Sequence, residues 1–194
     1  IMDMPIYELK ISTSEADDAE VSFVALVDNP AIKRDFLCFK SEKVLFEATD
    51  EHIITGPLMI PEQLIYRNND KFGEHYVKFS ADTIKQIAIK YAKKGYQKNV
   101  NLMHDSGSQV EGVTMFESFI SDTKRGVKPM AAFADLPDGT WFGSFYVENP
   151  KVWELVKSGQ VKGFSVEGLF DYNIPDGNKD NEKLAELKRI LNSF

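Results

Sequence analysis

A chain of 194 residues, 43% hydrophobic and 27% charged, has the make-up of a soluble globular protein and the length for one cored domain, or one domain and a tail. Its 23 basic and 30 acidic residues leave a net charge of −7, which argues against a general nucleic-acid binder, since that needs a basic surface. No apolar run approaches the roughly 20 residues of a membrane span, the first residues do not read as a signal peptide, and the single cysteine, Cys38, suits a reducing compartment.

Tyr7, Leu9 and Ile11 alternate with polar residues, as do Val21, Phe23, Ala25 and Val27, so each run predicts a strand. The acidic stretch 14–20 between them predicts a solvated loop. Asp28-Asn29-Pro30 predicts a turn. Short strands follow over 36–39 and 44–48, the first holding Cys38 among Phe36, Leu37 and Phe39 as a small buried hydrophobe. In the run 53–61, Pro57 and Pro61 argue against a central strand and for an edge, bulge or bend.

Residues 68–73 predict a hairpin loop, with 75–79 as the return strand. Ser80 caps a helix whose Ile84, Ile87, Ala88 and Tyr91 share one face, and Lys93-Lys94-Gly95 ends it. Residues 100–104 predict a strand ending in His104. The turn Asp105-Ser106-Gly107 predicts that the next strand, 110–121, folds back on it. The aromatic run 140–147 predicts a strand, and Asn149-Pro150 opens a short helix closed by Gly159. Residues 161–172 predict another strand. The polar stretch 175–181 reads as a linker, and Leu184, Leu187 and Leu191 as the apolar stripe of a final helix. The sum is a β-rich α+β domain over 1–174, followed by a linker and helix over 175–194. The chain begins at Ile1 and not Met, which predicts a trimmed or processed sequence.

The chemistry centres on Ser165 in Lys162-Gly163-Phe164-Ser165-Val166-Glu167-Gly168. Glycines on both sides allow another backbone or a substrate carbonyl to approach the hydroxyl. A serine needs a base within hydrogen-bond reach to become a nucleophile. His104, one of three histidines, ends a strand where its ring can point into a cleft. Glu117, on the strand that follows, can orient that ring as the third group of a triad. The plain alternative is a strand-end histidine and a small strand residue. The stretch is not the G-x-S-x-G elbow of α/β-hydrolases, because its second glycine falls one residue late and no helix follows. His52, His75, His104 and Cys38 lack metal-ligand spacing, and 176–180 departs from a calcium loop, so neither metal nor cofactor is expected. Trp141, Phe142, Phe145, Tyr146 and Trp153 read as core.

Several stretches together resemble the phage prohead (capsid-maturation) serine proteases of the XkdF-like branch. They are 27–32, 54–61 with 65–67, His104, 116–120, 139–141 and 152–159 leading into 162–168, and they span roughly residues 20–172. The resemblance implies a herpesvirus-assemblin-like fold: a closed or nearly closed antiparallel barrel with helices outside. It implies Ser165 as nucleophile and His104 as base. Assemblins place a second histidine after the serine, and this chain has none after His104. Either a dyad suffices or an acid is the third member, with Glu117 first and Glu167 and Asp171 in reserve; Glu167 alternates with Ser165 and shares its sheet face.

The implied function is an endopeptidase acting in the bacterial host cytoplasm, inside the phage procapsid. It would cut scaffold protein, major capsid protein and itself. It would form a homo-oligomer if it follows the assemblins, and it would contact neither nucleic acid nor membrane. The rival expectation is a structural or scaffold-associated virion protein that kept the fold and lost the activity.

Overall fold

A computed structural model describes residues 4–32, 37–43, 47–105, 109–173 and 189–193, with side chains placed for 4–32, 51–105 and 109–173. The strands are β1 (Ile6–Lys10), β2 (Glu20–Val27), β3 (Leu37–Lys43), β4 (Glu47–Met59), β5 (Ile65–Asn69) and β6 (Gly73–Lys78). After helix α1 (Ala81–Lys93) come β7 (Val100–Leu102), β8 (Val113–Ile120) and β9 (Trp141–Val147). Helix α2 (Pro150–Lys157) precedes β10 (Gly163–Asn173), and β11 (Arg189–Ser193) follows.

The strands form two sheets. One runs β5-β6-β1-β10-β2-β7, with β11 also on β10; the other runs β3-β4-β9-β8. The larger sheet curls like half a barrel. The β-rich α+β class expected from the sequence is therefore what folds. The pairing is not purely antiparallel, however: β1 pairs β6 and β2 pairs β7 in parallel. Parallel neighbours need a long crossover, and the connection from β2 to β7 includes α1.

The core lies between the sheets. Leu9, Val24, Leu26, Phe164, Val166 and Phe170 from one sheet meet Ile54, Leu58, Trp141 and Phe145 from the other. Helix α1 buries Ile84, Ile87 and Tyr91 on this core, as their spacing predicts. The Ser80 hydroxyl accepts from the Thr83 N–H at 3.2 Å, and Gly95 adopts a left-handed φ of 70° just beyond the helix. Four of the five expected core aromatics are buried, and Tyr146 is exposed.

Pro57 sits in β4, which lies between β3 and β9 and so is a central strand. Among the described residues β3 pairs with β4 only as far as Thr55, and a bulge against β9 follows between Pro57 and Met59, so no described neighbour calls on the missing N–H. The acidic stretch is not wholly solvated: Ala19 and Glu20 are buried. Near the end, Arg189–Ser193 is a strand paired antiparallel to β10, so Leu191 belongs to a sheet and not to a helix. Leu184, Leu187 and the expected linker lie outside the described residues, as does the side chain of Cys38.

Candidate active site

Strands β10, β2 and β7 lie side by side in the larger sheet. Ser165 pairs with Ala25, and Ala25 pairs with Asn101, so one row across three strands reads Ser165–Ala25–Asn101. Phe164 and Val166 point into the core, so by strand alternation Ser165 and Glu167 share the opposite face. The glycine after Glu167 is obligatory for a steric reason. A Cβ on Gly168 would run into the carbonyl of Glu20, because the backbone entering β2 crosses β10 there. The close backbone approach is therefore at Gly168, three residues beyond the serine, and not at the Ser165 hydroxyl.

His104 does not extend a strand, contrary to expectation. Strand β7 stops at Leu102, and Met103 and His104 take φ values of 52° and 60°. The Asp105 N–H donates to Leu102 O at 3.0 Å across them, while Met103 N–H donates to Leu26 O at 3.1 Å. Two positive φ values inside one such bond mark a tight turn that favours glycine or asparagine. A methionine and a histidine there cost roughly 1–2 kcal/mol each. Backbone strain of this kind gathers where a side chain must be aimed, and this turn aims His104 at β10.

The imidazole meets Glu167: His104 Nδ1 lies 2.6 Å from Glu167 Oε1. The carboxylate can only accept, so the proton sits on Nδ1 and Nε2 is left to act as a base. Asn101 Nδ2 donates to the same oxygen at 3.0 Å. Glu167 is 8% exposed and Asn101 1%. Burial works to raise the Glu167 carboxyl, but the hydrogen bonds from His104 and Asn101 and the charge of His104 outweigh it and hold it below the usual range.

The acid on His104 is therefore Glu167, the reserve. Glu117 sits on β8 in the other sheet and is exposed. The strand carrying it folds back on β9, not on β7. Asp171 lies farther along β10, in register with Lys10 and Arg189. Sequence reading missed Asn101; the signal was a lone polar residue between Val100 and Leu102, three before the histidine.

Ser165 is 2% exposed, and its Oγ has no hydrogen-bond partner among the described residues. No hydrogen bond joins it to His104. It lines a recess of about 10 Å³ with Ala31, Ile32, Leu58 and Phe79, room for one water and not for a peptide side chain. A far larger groove of about 680 Å³ runs between α1 and β8, but none of Ser165, His104 and Glu167 lines it, so size alone does not locate this site.

The other histidines have structural partners. His52 Nδ1 lies 2.8 Å from Val147 O, and its ring stacks on Trp153. His75 is fully buried between Gly73 O and the Tyr172 hydroxyl. Among the described residues no group of histidine, cysteine and acidic side chains is placed to hold a metal ion.

No curated protein matches the chain, and no solved structure does. A family model described as "Putative phage serine protease XkdF" matches residues 41–173, a span that contains Asn101, His104, Ser165 and Glu167. The chain belongs to this XkdF family of phage serine proteases.

Proposed function

We propose that the chain is a serine endopeptidase of phage procapsid maturation, with Ser165 as nucleophile, His104 as base and Glu167 as the acid that orients the base. The observation that carries this reading is the 2.6 Å contact between His104 Nδ1 and Glu167, two residues from Ser165 on the same face of β10. In the reaction His104 Nε2 takes the Ser165 proton as Oγ attacks a peptide carbonyl. The imidazolium then protonates the leaving amine, and water releases the acyl group by the reverse route. Glu167 keeps Nδ1 protonated and stabilises the charged ring. It follows the serine in the chain, as the second histidine does in assemblins, which supports an assemblin-like relationship.

The attack requires Ser165 Oγ to come within about 3 Å of Nε2, and such contacts often tighten only when substrate binds. The substrates on this reading are scaffold protein, capsid protein and the chain itself, cut inside the procapsid of the infected bacterium. One observation favours a second reading. A serine that is 2% exposed and has no hydrogen-bond partner among the described residues fits a structural virion protein that has kept the fold and lost the chemistry.

The test is expression of the full-length protein beside a Ser165→Ala twin, with scaffold and capsid proteins supplied and products followed by mass spectrometry. Cleavage by the parent and none by the twin is the expected result. Intact products from both would establish the structural reading.

A further inference from the structure

We infer that Asn101 is a positioning residue that fixes where the Glu167 carboxylate sits and keeps it charged, so that His104 is held with Nε2 free. The inference rests on the reading of His104 and Ser165 as base and nucleophile, and adds a fourth member to that group.

Position 101 is 1% exposed in the middle of β7, between the buried Val100 and the half-buried Leu102. An apolar residue would satisfy such a place at no polar cost. An asparagine instead brings four hydrogen-bonding positions into the interior. Here Nδ2 donates to Glu167 Oε1, while Oδ1 is buried with no partner among the described residues. A buried amide left half unsatisfied is a net burden on folding. Its one gain in this structure is the bond to Glu167.

That bond acts where orientation matters. Oε1 receives both Asn101 Nδ2 and His104 Nδ1, at 3.0 and 2.6 Å. With two donors converging on one oxygen, the carboxylate cannot swing away without losing both. Asn101 and His104 also share a rigid base. They lie three residues apart across the tight turn at Met103, and that turn is tied to β2 by the bond from Met103 N–H to Leu26 O. The acid is therefore gripped from the same element that aims the imidazole. Among the described residues His104 and Asn101 are the groups set against Glu167, so removing the amide leaves His104 as the remaining described donor.

The test uses Asn101→Leu in the full chain, with three measurements. They are the rate of covalent Ser165 modification by a fluorophosphonate probe, the carboxyl titration of Glu167 followed by carbon NMR, and the melting temperature. The expected result is a fall of roughly tenfold or more in modification rate, the scale on which supporting partners act. It comes with protonation of Glu167 at higher pH, because a donor to its charged form is gone. A residue that only packs would shift the melting temperature and leave the titration and the rate per folded molecule unchanged, and that outcome overturns the inference. Should the leucine variant not fold, Asn101→Ser, which leaves space for a water, carries the same measurements. If the parent itself is never modified, the protease reading fails. The Glu167 titration then still decides the role of Asn101: a shift upholds its grip on the acid, and no shift ends it.

Discussion

Two buried carboxylates, Glu20 and Glu167, are almost equally hidden, at 7% and 8% exposure, yet their surroundings differ in kind. Glu20 lies among flexible cations. The Lys94 and Lys90 ammoniums stand 2.5 and 3.7 Å from Oε2, and the Tyr96 hydroxyl donates to Oε1 at 2.7 Å. Lys90 is in turn used up by the backbone carbonyls of Ser12, Asp17 and Ala19. That cluster staples the 12–19 loop onto α1, and its cations have their acceptors. Around Glu167 the donors are an imidazole on a strained turn and an amide on the strand that enters it, while two neighbouring buried atoms, Ser165 Oγ and Asn101 Oδ1, lack partners among the described residues. Folding alone selects for satisfied polar groups. Glu20 Oε2 makes no aligned hydrogen bond either, but two ammoniums face it, so the first cluster is accounted for by charge pairing that holds a loop to a helix, whereas the second carboxylate is held by an imidazole and an amide.

The sharpest way to break that comparison is to neutralise Glu167 and, beside it, Glu117, the first candidate for the third member. Glu167→Gln removes the charge that stabilises the imidazolium and no longer dictates the tautomer. Its rate of self-cleavage or probe modification should drop by as much as about 10⁴. Glu117→Gln, on an exposed stretch of the other sheet, should leave the rate unchanged. Kinetics of the two variants side by side check the assignment. Equal losses would return Glu117 to the site.

The next effect is on stability. Lys90→Met keeps the length of the side chain and removes the ammonium. It leaves Glu20 with one fewer cation and three carbonyls without their donor. Breaking a buried ionic group by deleting one partner costs about 3–5 kcal/mol. A urea titration should show that loss, while the modification rate of Ser165 per folded molecule stays at the parent value. If the rate fell as well, the two clusters would be coupled and the division between them wrong.

The same division explains what the sequence could tell. Strands β1 and β2 and helix α1 were legible from period-2 and period-3.6 patterns, β9 and β10 from their aromatic and apolar runs, and α2 from its Asn149-Pro150 opening and closing Gly159. Ser165 and His104 stood out by the glycines around one and the scarcity of the other. The identity of the acid was not legible, because it depends on which strand lies beside β7. The turn at Asp105 suggested β8 as that neighbour, whereas the sheet places β2 there, with β10 beyond it. Local turn chemistry does not record a parallel crossover. Nor did Leu191 reveal a strand, since its spacing from Leu187 and Leu184 is that of a helix face and the pairing with β10 leaves no mark in it. Nothing in the spacing of α1 marks Lys90, and only the approach of the 12–19 loop makes it a buried hub.

The smallest expected effect concerns pH, and it separates the clusters by sign. The Glu167 carboxyl is held below its usual range in the folded chain. A carboxyl of that kind contributes stability that is fully present above its unfolded value of about 4.3 and is lost as pH falls through the lower folded value. Lys90 is displaced the other way in effect. Burial lowers its pKa against the pull of Glu20, so the folded state holds that proton less tightly than the unfolded chain does. Its burden on folding is present at neutral pH and is relieved as pH rises from the lowered value toward about 10.4. Melting curves of the parent, Glu167→Gln and Lys90→Met across pH should therefore diverge at opposite ends. The parent and Glu167→Gln curves change their separation on the acid side as the carboxyl titrates, and the parent and Lys90→Met curves change theirs on the alkaline side as the ammonium does. A separation between the parent and Glu167→Gln that did not change with acid would mean that the His104 and Asn101 bonds do not favour the charged carboxylate, and the orienting role assigned to Glu167 would fall with it.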